Sequence, residues 1–261
     1  MVEGAAVPLG GWDFSWFDGR ATEERPPWGY ARMMGEPMAT ARAALDIETG
    51  GGEVLASVER PPRILVATES WPPNVAAARG RLDPLGAHVV AVADAPTLPF
   101  VAGAFDLVVS RHPVVVIWDE IARVLASGGT YLSQQIGAGT NRELTDFLMG
   151  PQPVNENRSP VRTRAAAEAA GLEVLDLQSC ALRLEFFDVG AVVHFLRKVH
   201  WTVPGFTPEG YRDRLRTLHE QITGDGVFVS TAQRAGRGPS PAPRAFGGAN
   251  GQLAWLTVLM L

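Results

Sequence analysis

Residues 45–53 read LDIETGGGE. A short apolar run closes on acidic and polar residues, and three consecutive glycines follow. The apolar run predicts a strand covered on both faces. Gly50, Gly51 and Gly52 predict a turn that lets another molecule touch the backbone. Residues 51–59 predict a helix. Strand, glycine turn and helix, in that order, are how an α/β sheet receives a nucleotide-like ligand.

The pattern continues on both sides. Arg63–Ala67 predicts a second strand and Pro72–Leu85 a helix, with prolines in its first turn and Gly86 at its end. Ala87–Ala93 and Phe105–Val109 predict further strands, Ile117–Ala126 an amphipathic helix, and Thr130–Ile136 a fifth strand after Ser127-Gly128-Gly129. Such alternation means βαβ units and a parallel sheet. Beyond Gly137 the pattern loosens. Asn141–Met149 and Pro160–Ala170 predict helices, Leu172–Phe187 a long strand with a bulge, and Val227–Ala232 a last strand. Two helices, Asp188–Val199 and Pro208–Thr223, interrupt the run before that strand.

The flanks differ. Residues 1–43 form an aromatic arm, with Trp12, Phe14, Trp16, Phe17 and Trp28, and a helical stretch broken at Pro37. The arm either packs on the domain or covers its ligand. Residues 44–233 are the main domain, with the insertion at 188–223. Residues 234–261 are dominated by Gly, Pro, Ala and Arg up to Asn250, which predicts disorder.

Composition narrows the function. The 261 residues are 46% hydrophobic with a net charge of −5, so a full core is available and no duplex nucleic-acid surface is implied. Cys180 is the one cysteine, which excludes an intramolecular disulfide framework and suits a reducing compartment. The start, MVEGAAVPLGGWDF, lacks the basic and apolar regions of a signal peptide. No run reaches the ~20 apolar residues of a spanning helix. The expectation is a cytoplasmic protein with no membrane contact. His88, His194 and His219 show no metal-site spacing, and no metal is expected.

The turn discriminates among ligands. A dinucleotide fingerprint ends in a third glycine, where Leu55 stands. Glu53 falls in the first turn of the predicted helix, where its charge repels a phosphate. A nucleotide-dependent oxidoreductase is therefore the weaker reading. S-adenosylmethionine carries an adenosine, a sulfonium and an amino-acid end but no diphosphate.

Residues 44–136 resemble the class I S-adenosylmethionine-dependent methyltransferases, especially the type 11 small-molecule group. Asp46, Gly50 and Gly52 match the D-x-G-x-G-x-G motif, with Glu48 in place of its first glycine. ADAPTLPFVAGAFDLVVS is similar to the family's D-A-x-x-L-P-F…F-D-L-V string. Glu120 to Gly129 resembles E-x-x-R-V-L-x-P-G-G, with Ser127 for the proline. The flanks and the SRHP turn resemble an actinobacterial subgroup.

The resemblance implies a Rossmann-like α/β fold. Its seven-stranded, mostly parallel sheet would carry helices on both faces and a helical insertion before the last strand. It implies S-adenosylmethionine as methyl donor. Asp46 and Gly50–Gly52 would pass its methionine end, Glu69 would hold both ribose hydroxyls, and Asp94 with the Ala95 backbone would read the adenine. Arg111 and His112 follow the fourth strand, where His112 is either a general base or a pocket-lining residue. Trp12, Trp16, His200, Trp201 and Phe206 are substrate-side candidates, or simply packing. The expected acceptor is a small molecule. A catalytically inactive scaffold that binds the cofactor stays open, because of Glu48.

Overall fold

The computed structural model describes residues 2–9, 14–93, 97–236 and 258–260, with backbone alone at 2 and 258–260. In chain order the strands are β1 (Ala21–Glu23), β2 (Ala43–Ile47), β3 (Ile64–Glu69), β4 (His88–Ala91) and β5 (Phe105–Arg111). They continue with β6 (Leu125–Ile136), β7 (Leu172–Val174), β8 (Gln178–Phe186), β9 (Phe228–Gly236) and β10 (Val258–Met260). The α-helices are α1 (Val2–Ala6), α2 (Tyr30–Thr40), α3 (Pro72–Leu82) and α4 (Trp118–Val124). After them come α5 (Arg142–Met149), α6 (Pro160–Ala169), α7 (Val189–Lys198) and α8 (Arg212–Asp225).

The chain divides into two compact units. The larger comprises Pro26–Ile136, Asn157–Cys180 and Arg234–Leu261. Its centre is parallel: β2 pairs with β3 and β5, β3 with β4, and β5 with β6. The end of β9 runs antiparallel to the end of β6, pairing Ala235 with Gln135. β10 lies antiparallel to both β6 and β7.

Alternation along each strand explains the two covered faces. Leu45, Val66, Val108 and Tyr131 point into one core, with Ile121 of α4 and Ala167 of α6. Ala44, Leu65, Leu107 and Leu132 point into the other, with Met34 and Met38 of α2 and Leu82 of α3. Burial of this kind contributes ~1.5–3 kcal/mol per large side chain.

The smaller unit comprises Met1–Arg25, Gly137–Glu156 and Ala181–Gln233. In it β1 pairs antiparallel with β8, and Phe17, Leu144, Phe186, Leu196, Leu218 and Phe228 share a core. The two inserted helices are α7 and α8. Asp188 caps α7 by accepting from the Ala191 N–H at 2.9 Å. Glu143 at the start of α5 accepts from Thr231 N–H (2.8 Å), Thr231 Oγ1 (2.6 Å) and Ser230 Oγ (3.1 Å), which ties α5 to β9.

The fold class is the expected one, a mostly parallel α/β sheet with helices on both faces. Three expectations are corrected. No helix spans 51–59; a single 3-10 turn, Leu55–Ser57, stands there, and Pro61-Pro62 follow closely. The run 172–187 is two strands, β7 and β8, so the strands exceed seven. The tail expected to be disordered from 234 supplies the end of β9 and, with Val258–Met260, all of β10. Residues 237–257 lie outside the described residues. Among the described residues, no helix is long and apolar enough to cross a membrane.

Candidate functional site

Parallel register brings the carboxyl ends of β2, β3 and β5 to one edge. Asp46 sits opposite Ala67 on β3 and Val109 on β5, and Ile47 sits opposite Ser110. The chain therefore leaves β2 through residues 48–52, beside Glu69 and beside Arg111-His112. This is the edge where open α/β sheets receive ligands.

The glycine turn is held from below. Thr49 N–H donates to Thr68 O at 2.9 Å, and Gly52 N–H to Thr49 O at 3.2 Å. Gly50 and Gly52 have φ of 65° and 81°, values that suit glycine. Arg81 of α3 reaches across the turn, donating to Gly51 O and, at 2.7 Å, to the Glu53 carboxylate. Glu53 is thus ion-paired in a turn, not placed in the first turn of a helix. There is no helix N-terminus at this turn from which Glu53 could repel a phosphate.

Glu48 has an account. Its φ is 56°, so it occupies the left-handed conformation that the motif's glycine supplies. Its carboxylate accepts the Val114 N–H at 2.8 Å. A strained residue here holds the loop that follows β5.

Asp46 is buried, and nearby lies an unusual polar neighbour. Burial pushes its carboxyl up to about 7; the Thr49 hydroxyl opposes this, and the charge of Glu69 adds to it. Tyr30, the first residue of α2, is 6% exposed, and its hydroxyl has no partner among the described residues. It lies close enough to Asp46, Tyr131 and Arg111 to feel their charges. A buried orphan hydroxyl costs ~1–3 kcal/mol, which a bound ligand can recover.

Glu69 is buried at the end of β3, and part of its capacity is used. Pro72 and Pro73 have no N–H to offer, and Oε1 accepts from the Ser70 N–H (2.8 Å) and Trp71 N–H (3.0 Å) instead. Oε2 accepts from Asn74 Nδ2 at 3.3 Å. A carboxylate has about four acceptor positions, so about one remains, on Oε2. Glu69 thus shapes the approach to α3 and keeps room for one hydroxyl.

Asp94 and Ala95, expected on the adenine side, lie outside the described residues. The loop that follows them is described, and it is stapled. Glu120 accepts the Leu98 N–H at 2.6 Å, and Arg123 donates to Leu98 O (2.9 Å), Phe100 O (2.7 Å) and Glu120. The hydrogen bonds from Arg123 hold the Glu120 carboxyl below its usual range. The E-x-x-R pattern therefore fixes the L-P-F stretch. Arg123→Ala leaves two carbonyls and a carboxylate without that donor. A loss of ~2 kcal/mol in unfolding free energy is expected in urea titration. Lysine should recover only part of it, since it lacks the planar fork. Asp106, in the F-D-L-V string, likewise ties β5 to β2 by accepting from Arg42 N–H and Ala43 N–H (2.9 Å).

His112 also has a left-handed backbone, φ 55°. Its N–H donates to Gln134 O at 2.7 Å, and its Nε2 lies 2.8 Å from Gln134 Nε2. Burial, then the charges of Arg111 and Arg234, hold its imidazole well below the usual histidine range. Arg111 is exposed at the end of β5.

The substrate-side candidates fall in the smaller unit. Trp16 packs against His194 (ring centroids 4.9 Å apart) and lies under the Arg20 guanidinium (4.4 Å). His200 and Trp201 are exposed neighbours, their rings 5.1 Å apart, and Phe206 packs on Tyr211. Trp12 lies outside the described residues.

The family described as "Methyltransferase domain" matches residues 45–133, the stretch holding the glycine turn, Glu69 and the staple. By this match, residues 45–133 are similar to a methyltransferase domain. Solved structures agree with the methyltransferase fold. YcgJ from Bacillus subtilis is 20% identical, with a TM-score of 0.54 over 79% of this chain and 95% of that one. BH2331 from Bacillus halodurans C-125, a candidate methyltransferase, is 18% identical, with a TM-score of 0.55 over 80% and 96%. A functionally unknown protein from Deinococcus radiodurans R1 is 13% identical, with a TM-score of 0.53 over 83% and 90%. No curated protein matches the chain.

Within the larger unit, several residues escaped the sequence reading. Arg81, Gln134 and Tyr30 carry no motif. Trp28 was readable only as part of an aromatic arm, yet its indole N–H donates to Gln134 Oε1 at 2.8 Å.

Proposed function

We propose that this chain binds S-adenosylmethionine at the carboxyl edge of β2, β3 and β5 and transfers its methyl group to a small-molecule acceptor. The observation that carries the reading is the pair of buried carboxylates, Asp46 and Glu69, flanking a glycine turn with a buried, unpartnered Tyr30 hydroxyl beside them. The residues fit the donor. Asp46 suits its ammonium, which restores charge balance to a carboxylate that burial otherwise disfavours. Tyr30 suits a polar atom of the same amino-acid end, and Oε2 of Glu69 a ribose hydroxyl. Gly50–Gly52 admit the ligand to the backbone, Arg111 borders its methionine side, and Asp94 with Ala95 takes the adenine.

When bound, the donor supplies a methyl group on a sulfonium, already an activated leaving group. What remains for the chain is to orient the two reactants and exclude water. The net charge of −5 favours a small acceptor over nucleic acid.

Calorimetry with S-adenosylmethionine, S-adenosylhomocysteine and NAD tests the class; binding of NAD alone overturns the reading. Tyr30→Phe tests the site. It should weaken S-adenosylhomocysteine about tenfold, one hydrogen bond to a charged group. It should leave 5′-methylthioadenosine unchanged, because that compound lacks the amino-acid end. It should also stabilise the ligand-free chain by removing an orphan hydroxyl.

A further inference from the structure

His112, Gln134 and Trp28 form a hydrogen-bonded chain whose directions are fixed by chemistry. An indole N–H only donates. The Trp28 indole therefore requires the amide oxygen of Gln134, 2.8 Å away, and the Gln134 amide nitrogen must turn toward His112. An amide NH2 only donates, so His112 Nε2, 2.8 Å from it, must accept. The ring proton then resides on Nδ1. A second proton would set N–H against N–H.

The chain has little freedom to rearrange. Trp28 is 5% exposed and Gln134 3%. Gly236 on β9 lets the indole approach closely; a Cβ there would lie 3.1 Å from it. The His112 backbone N–H is itself bound to Gln134 O at 2.7 Å, so the ring and the amide are anchored together. The charged groups facing His112 are Arg111, the residue before it at the end of β5, and Arg234 on β9, and both oppose a positive imidazole.

We propose that Trp28 and Gln134 lock His112 as its neutral Nδ1–H tautomer, so that His112 donates a hydrogen bond at the site and does not deprotonate the acceptor. Trp28 and Gln134 are positioning residues in this arrangement. The second half of the inference rests on the methyltransferase reading. If His112 takes no proton, the acceptor is of a class that arrives with its lone pair free, such as an uncharged amine. A hydroxyl that relies on His112 as its base does not fit.

Histidine 15N NMR on the full chain tests the lock without any ligand, with His112→Asn identifying the His112 signal among five histidines. In the wild type, His112 should be protonated on Nδ1 and should take up its second proton only well below the ~6.5 of a free imidazole. Trp28→Phe frees the amide to turn, and the proton should shift to Nε2, at least in part. Gln134→Glu places a carboxylate against Nε2, and His112 should carry two protons at pH 7. The inference is overturned by a wild-type proton on Nε2, by a wild-type titration near 6.5, or by Gln134→Glu leaving His112 neutral. Cofactor binding by the wild type is a separate readout. Its absence would overturn the proposed function and leave the tautomer result standing; a failed lock with binding intact would do the reverse.

Discussion

Asp46→Asn should raise the melting temperature of the ligand-free chain at pH 8 and weaken S-adenosylhomocysteine binding by tenfold or more. Both effects come from the same carboxylate. Its folded-state pKa is about 7, against an ordinary value of 3.8, with burial as the main cause. An acid whose pKa is raised by folding binds more protons folded than unfolded between those two values. Stability is therefore fullest below about 4, falls as pH rises, and levels off above about 7. The span corresponds to a few kcal/mol at most. Asparagine removes the charge and with it the fall, so its advantage should be present at pH 8 and vanish near pH 4. A parallel pH dependence in wild type and variant would show that Asp46 is not the buried charge responsible.

The ligand should see the reverse. An ammonium group stabilises the ionised carboxylate, so wild-type affinity should decline as pH falls below about 7. Binding at pH 6 should release protons, readable as a dependence of calorimetric heat on the buffer. Asp46→Asn should show neither effect. Affinity that survives the substitution would remove Asp46 from the proposed site.

Gly52→Ala should destabilise the chain by ~2–4 kcal/mol, while Gly51→Ala should cost under ~1 kcal/mol. The two glycines adjoin, yet their surroundings differ. A Cβ on Gly52 would lie 2.9 Å from Leu82 Cγ, and its φ is 81°. Leu82 is fully buried in α3, and its branch point cannot withdraw. A Cβ on Gly51 meets the ends of the Glu53 and Arg81 side chains, which can move aside. Thermal melts of the two variants separate conformational need from mere proximity. Equal losses would mean that the turn is held by something other than the Leu82 contact.

Much of the scaffold was legible because its signals are local. Leu45, Val66 and Val108 stand in short apolar runs, and a strand buried on both faces needs just that. The prolines that open α3 and the glycine after Leu85 marked their boundaries for the same reason. The misread helix at 51–59 shows where local signals fail. Val54-Leu55-Ala56 has helical composition, but Arg81, 28 residues away, pulls Glu53 into a turn. The split of 172–187 into β7 and β8 is a difference of the same kind.

The site divided likewise. Asp46, Gly50–Gly52 and Glu69 of the proposed site stand out in the sequence because chemistry and position coincide at strand ends. The Trp28–Gln134 bond spans 106 positions, and no spacing announces it. Tyr30 was hidden differently: its hydroxyl matters because nothing among the described residues answers it, and a sequence does not display a missing partner.

Glu48 carries a mechanical consequence. Its carboxylate bridges from the end of β2 to Val114, beyond the end of β5. Two turns that each contain a left-handed residue other than glycine, Glu48 and His112, are thereby yoked. A glycine at 48 would relax the first turn and uncouple it from the second. With glutamate, one hydrogen bond ties the glycine turn to the histidine loop.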